Sequence, residues 1–197
     1  MSDSYEHLTV TSRQELRSWL AAHHATSPGV WLVTWKAGSG HPRVPYADIV
    51  EEALCQGWVD SRPRALDDQR SQLLLTPRRA GSNWSRVNKR RIELLSAQGL
   101  MQPAGTAAVD RAKKDGTWTA LDAVENLLEP DDLRTLLDAE AAARANWNSF
   151  PRSTRRAILE WITAAKTPAT RERRIQQTVA EAAVGRRANQ WRQPKGT

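Results

Sequence analysis

Cysteine is nearly missing from this 197-residue chain, and its single thiol, Cys55, leaves no internal disulfide framework to build. One cysteine also excludes metal binding by paired thiolates, and it suits a reducing compartment. Histidine is sparse too, at four residues: beside His7, His23 and His24 are adjacent near a helix end, and His41 falls in a loop. None has the His-x-x-x-His spacing of a zinc site, so neither a metal nor a cofactor is expected. Long apolar runs are missing as well. Stretches such as Leu73–Leu75 fall far short of the roughly 20 residues needed to cross a bilayer. The segment from Met1 to His7 is polar, with neither the basic start nor the apolar centre of a signal peptide. A cytoplasmic protein without a membrane partner is the expectation.

One phenylalanine stands against nine tryptophans. An indole anchors a core while keeping an N–H to donate, or it lines a pocket for flat ligands. Trp19, Trp31, Trp58 and Trp161 each sit within apolar periodicity, which assigns most of them to the core. The net charge of +7 is uneven. Lys plus Arg against Asp plus Glu is 4 to 7 over residues 1–60, 9 to 3 over 61–99, 5 to 9 over 100–150 and 11 to 3 over 151–197. Two basic blocks alternate with two mildly acidic ones, a pattern that suits either anionic partners or solvated arginine faces.

Ser12-Arg-Gln-Glu15 is a capping box that opens a helix running to about His24. Pro28-Gly29 breaks into the strand Val30–Trp35, and Gly38 to Pro42 forms a loop. Tyr46 to Gln56 reads as a helix with Ile49, Val50, Ala53 and Leu54 inward. A strand from Trp58 to Arg62 pairs with Gln69–Thr76 across a turn at Pro63–Asp68. Ser82 is expected to cap a helix ending at Gly99, and Pro103 starts another that closes near Gly116. From there the pattern is helical, with starts predicted at Pro130, Ser153 and Thr170. The expected architecture is α+β: a small N-terminal antiparallel sheet with helices over 1–116, a helical part over 117–188 packed on it, and a loose tail at 189–197.

The stretch from Glu51 to Gly105 carries GW-V-DS, TPR, NWS and MQPAG in order, and Gly29-Val-Trp-Leu precedes it. With the terminal block Ser153-Thr-Arg-Arg-Ala-Ile-Leu-Glu-Trp-Ile and Thr170-Arg-Glu-Arg-Arg-Ile, the chain resembles the YdeI/OmpD-associated, or bacteriocin-protection, family over nearly its whole length. The resemblance implies an α+β fold of the YdhG-like kind and a link to resistance against cationic antimicrobial peptides. It also implies a porin partner, which the polar N-terminus argues against here. It supplies no catalytic residues.

The residues that could carry chemistry centre on the helix after Trp84. At 100° per residue, Trp84, Val87, Leu94 and Leu95 form its inward stripe, and Asn88 and Arg91 fall inside that stripe. A guanidinium on an apolar face requires a partner, because an unpaired buried charge costs several kcal/mol. Asp60, which shares one side of its strand with Trp58 and Arg62, is the expected partner of Arg91. The pair reads either as structural or as the floor of a ligand pocket. The junction Thr76–Ser85 offers a second anion-binding element, with Arg78 and Arg79 ahead of a capped helix start. Cys55 and Ser61 show no pairing that supports nucleophilic catalysis.

The function expected from this reading is stress or antimicrobial protection by binding a small anionic or antibiotic-like ligand. Its site would comprise Trp58, Asp60, Ser61, Arg78, Arg79, Trp84, Ser85, Asn88 and Arg91. Two alternatives stay open: an enzyme with Asp60 as acid or base, and a nucleic-acid or acidic-partner binder using Arg152, Arg155, Arg156, Arg171, Arg173 and Arg174.

Overall fold

A computed structural model describes residues 5–190, which divide into two compact units, 5–120 and 121–190. Residues 1–4 and 191–197, including most of the predicted tail, lie outside the described residues.

Unit 1 runs β1 (Glu6–Thr9), α1 (Arg13–His23), β2 (Val30–Trp35), α2 (Tyr46–Cys55), β3 (Trp58–Ala65), β4 (Arg70–Pro77), α3 (Arg86–Ala97) and α4 (Pro103–Asp115). The sheet order is β1-β2-β4-β3. β2, β4 and β3 are antiparallel as expected, and β1 adds a parallel strand that the sequence reading did not contain. The predicted turn is shorter than expected, because β3 continues to Ala65. The Asp67 carboxylate then closes the hairpin by accepting the Gln69 and Arg70 N–H groups at 2.9 and 2.6 Å. Pro63 is tolerated because β3 is an edge strand and carries a bulge between Asp60 and Pro63.

Period-two alternation sends Val30, Leu32, Leu73 and Leu75 to one face, where Leu16 and Leu20 of α1 and Ile49 and Ala53 of α2 cover them. The same face continues to Thr34 and Ser71, which are directly paired across the strands. Small hydroxyl side chains replace aliphatics there, so that end of the sheet is left with a hollow.

α1 is capped as predicted, with the Ser12 hydroxyl accepting from the Glu15 N–H at 3.2 Å; the Glu15 carboxylate reaches back to Thr11. α3 departs from expectation. Ser85, not Ser82, is its cap, accepting from the Asn88 N–H at 3.3 Å, while the Ser82 hydroxyl turns to the Arg79 carbonyl. Trp84 therefore precedes the helix, and the buried stripe rotates to Ile92 and Leu95, with Asn88 half-buried. Val87 and Leu94, expected inward, are 58% and 63% exposed. α4 crosses α2 so tightly that a Cβ at Gly105 would lie 2.2 Å from the Cys55 carbonyl oxygen. Gly116, at φ 81°, ends α4 in the left-handed conformation.

Unit 2 is helical throughout: α5 (Asp122–Glu125), α6 (Asp131–Ala139), α7 (Ala141–Ser149), α8 (Arg152–Thr163) and α9 (Pro168–Ala183). Its core gathers Leu133, Leu137, Trp147, Ile158, Ile162 and Ile175. Two starts differ from expectation. Pro151 precedes α8, and Thr167 caps α9 with Pro168 in the first turn, because the Thr167 hydroxyl accepts the Thr170 N–H at 3.2 Å.

Candidate functional site

A cavity of about 360 Å³ occupies the hollow at the end of the sheet, within the size range of small-molecule sites. Val44, Ile49, Pro63 and Leu73 supply apolar walls. Thr34 and Ser71 stand with their hydroxyl oxygens 3.5 Å apart, and Asp60, Ser61, Gln72, Arg43 and Tyr46 complete the polar lining. The Tyr46 hydroxyl, on the first residue of α2, donates to Asp60 Oδ2 at 2.6 Å. Tyr46 is 53% exposed as a residue, but partial desolvation of its hydroxyl, the hydrogen bond to Asp60 and the Asp60 charge push that hydroxyl up to about 12, while Arg91 acts in the opposite sense. Tyr46 is thus a fixed donor near neutral pH and not a base.

The nine residues expected to form one site are distributed over several places. Asp60 and Ser61 line this cavity. Asp60 and Arg91 do not form the expected ion pair: Asp60 takes the Tyr46 hydroxyl, and Arg91 donates to Asn88 Oδ1 at 3.2 Å. Arg91 instead lines a separate groove of about 440 Å³ with Arg13, Arg17, Glu51 and Leu94. Trp58 is a core residue, donating its Nε1–H to the His24 carbonyl at 3.2 Å. Ser85 is occupied as the α3 cap.

The guanidinium turned toward the interior is Arg78. It is 8% exposed, lies 3.9 Å over the Trp84 ring and donates to the Asn83 carbonyl at 3.0 Å. Burial pushes it down to about 10, against the favourable field of Asp60. The anion expected at the neighbouring turn is internal. The Asp115 carboxyl is held below its usual range by Thr117 first, then by the Gly81 backbone and Arg111. The pocket left among Arg78, Arg79 and Arg111 measures about 10 Å³, room for no more than a water.

One charged cluster went unread in the sequence. Glu52 is buried and accepts Arg13 Nε at 2.6 Å, Arg17 Nε at 2.9 Å and Arg17 Nη2 at 2.6 Å. Arg13 also reaches Asp48 and Glu51 at 3.2 and 3.0 Å. The signal was present: Arg13 and Arg17 stand one helical turn apart, and Glu52 falls within 60° of Ile49 at 100° per residue. Nothing in the sequence marked Arg43, Tyr46, Thr34 or Ser71 in the same way, because the strand ends meet α2 only in three dimensions.

Burial, with the Glu52 charge next, pushes the Cys55 thiol up to about 11, so the thiolate needed for nucleophilic attack is scarce near neutral pH. His41 stacks on Trp35 at 3.8 Å and His23 on Trp19 at 4.8 Å. Among the described residues no group of three or more His, Cys, Asp or Glu is placed to hold a metal ion, and no helix is long and apolar enough to cross a membrane. In unit 2, Arg156 pairs with Glu125 and Glu160, Arg171 pairs with Asp132, and Arg152 and Arg174 donate to backbone carbonyls.

Residues 8–108 match a family described as a domain of unknown function, DUF8412, and residues 126–185 match the family described as bacteriocin-protection, YdeI or OmpD-associated. The sequence landmarks from Glu51 to Gly105 fall inside the first match and the terminal block inside the second. Neither the curated proteins nor the solved structures give a match. With just over half its length inside the first match, the chain belongs to the DUF8412 family, and its C-terminal unit carries a match to the bacteriocin-protection, YdeI or OmpD-associated family.

Proposed function

We propose that this protein serves a bacteriocin-protection-related role by binding a small molecule in the cavity at the end of the unit 1 sheet. The C-terminal family match supports the protection-related role. The observation that carries the binding reading is the cavity of about 360 Å³, in which a fixed Tyr46–Asp60 pair and the Thr34–Ser71 hydroxyls face an apolar wall. Arg43, a cation in the lining, suits a carboxylate or phosphate, and Asp60 with the hydroxyls suits donors on the same ligand. The ligand class is therefore a small anion that also carries hydroxyl or amino groups. Binding is favoured over turnover because Tyr46 stays protonated and Cys55 stays a thiol near neutral pH. A single buried cysteine suits action in a reducing, cytoplasmic compartment.

The test is a melting-temperature screen with hydroxy- and amino-carboxylates and phosphate esters, run on the parent and on Ser71→Phe, which fills the hollow. A ligand at 100 times its Kd stabilises by about 2.7 kcal/mol. That is a rise of roughly 5–10 °C for a chain of this size. The reading requires a compound that shifts the parent and leaves Ser71→Phe unmoved. No shift in the parent, or one that persists in Ser71→Phe, overturns it.

A further inference from the structure

The cations of unit 1 are divided in an unusual way. Arg13, Arg17 and Arg70 are held in ion pairs. From Thr76 to Trp118, by contrast, nine Lys and Arg face three acids, Glu93, Asp110 and Asp115. Arg79, Arg90, Arg111, Lys113 and Lys114 are exposed and make no ion pair among the described residues.

Part of this charge borders an aromatic pair. Trp118 is only half-buried, and Lys89 Nζ and Lys113 Nζ each lie 5.6 Å from its ring centroid. Lys89 Nζ is anchored by the Trp118 carbonyl at 3.1 Å. Behind Trp118 stands Trp84, 5.1 Å away and tilted by 50°, with the Arg78 guanidinium on it. Arg79 and Arg111 both line the small pocket at the adjoining turn. Trp84 is buried, and α4 packs tightly against α2 at Gly105.

We infer that this face of α3 and α4 binds single-stranded nucleic acid, with phosphates on Arg79, Arg111 and Lys113 and a base against Trp118. A folded acidic protein needs only the charges. The part-exposed indole among them offers a stacking surface that unpaired bases use and duplexes hide. The site is separate from the cavity of the proposed function, and either can fail without the other.

The experiment is fluorescence anisotropy of a labelled oligothymidylate of about 15 nucleotides, a length that spans one such platform. Three phosphate contacts predict an affinity that falls by about 2 log units per tenfold rise in salt. Reversing two charges with Arg111→Glu and Lys113→Glu should weaken binding by tenfold or more at low salt. The same charge change in unit 2, Lys166→Glu with Arg173→Glu, should leave it within about twofold. Trp118→Leu should weaken the oligonucleotide several-fold and leave inorganic polyphosphate, which has no bases, unaffected. Salt-insensitive or absent binding overturns the inference, as does equal loss in the unit 2 control. Equal loss of polyphosphate in Trp118→Leu, or binding confined to polyglutamate or phosphatidylserine vesicles, overturns it too.

Discussion

Replacing Glu52 by Gln tests whether the most buried charge in unit 1 is held as described. The Glu52 side chain is 4% exposed and takes three hydrogen bonds from Arg13 and Arg17. Removing one partner from a buried pair costs about 3–5 kcal/mol when the other charge is stranded. Stranding is incomplete here, because the Arg13 and Arg17 side chains are 30% and 44% exposed and rehydrate. Charge-assisted bonds contribute about 1.5–3 kcal/mol each, and the amide keeps an acceptor, so a loss of about 2–3 kcal/mol is expected. That lowers the melting temperature by roughly 5–10 °C near neutral pH. The pH dependence gives a second reading. Burial works against the charged form, but the hydrogen bonds and charges of Arg17 and Arg13 outweigh it and hold the carboxyl below its ordinary value of 4.5. A depressed pKa contributes stability that is complete above the ordinary value and vanishes as pH falls through the folded one. The gap between parent and Glu52→Gln, measured by calorimetry, should therefore be constant above about pH 6 and close on acidification below 4.5. Equal melting temperatures at neutral pH, or a gap that widens in acid, would show that Glu52 is not the anchor of the two arginines.

The Tyr46 phenol should titrate above its ordinary value of 10.0. Spectrophotometric titration of the parent should show a phenol component near 12 that disappears in Tyr46→Phe, and a profile identical in both would remove the Asp60 hydrogen bond from the account. Since the folded pKa is raised, the stabilisation linked to Tyr46 is complete below the ordinary value of 10.0 and is lost as pH rises through about 12. Gly105→Ala should destabilise by more than about 3 kcal/mol, because the methyl meets the Cys55 backbone and no side-chain rotation relieves it. Gly99→Ala meets open space at a φ of 67° and should cost only about 1 kcal/mol; near-equal melting of the two variants would contradict the tight α2–α4 crossing.

Local signals carried the elements whose cause is local. The strand Val30–Trp35, the α2 stripe, the Ser12 cap and the Pro103 start with Gly116 at its end were all readable from neighbouring residues. β1 was not, since Glu6–Thr9 offers a single apolar side chain, Leu8, and becomes a strand only by pairing with β2. The α3 error has an equally definite cause. Ser82 and Ser85 both precede the helix, and choosing the earlier one placed Trp84 on the helical wheel, turning the stripe toward Val87 and Leu94.

The same misplaced start explains why the interior guanidinium was assigned to Arg91. A helical wheel can nominate a residue on a helix, but Arg78 follows the end of β4, where no periodicity orients it. Its burial follows from Gly57 and Trp84. The Gly57 carbonyl accepts the Arg78 N–H at 3.0 Å and sets the backbone, and the indole then takes the planar guanidinium on its face. Delocalised, weakly hydrated charge is what makes that placement tolerable, and an ammonium there would keep neither the flat contact nor the bond to Asn83. The functional consequence is a division of labour within unit 1. Arg78 lies on Trp84 from the inside, Arg79, Arg111 and Lys113 are exposed, and Asp60 remains committed to Tyr46 at the cavity. Had Asp60 paired with Arg91 as the sequence suggested, the cavity would have lost the acceptor of its fixed donor, and Tyr46 would have no reason to stand where it does.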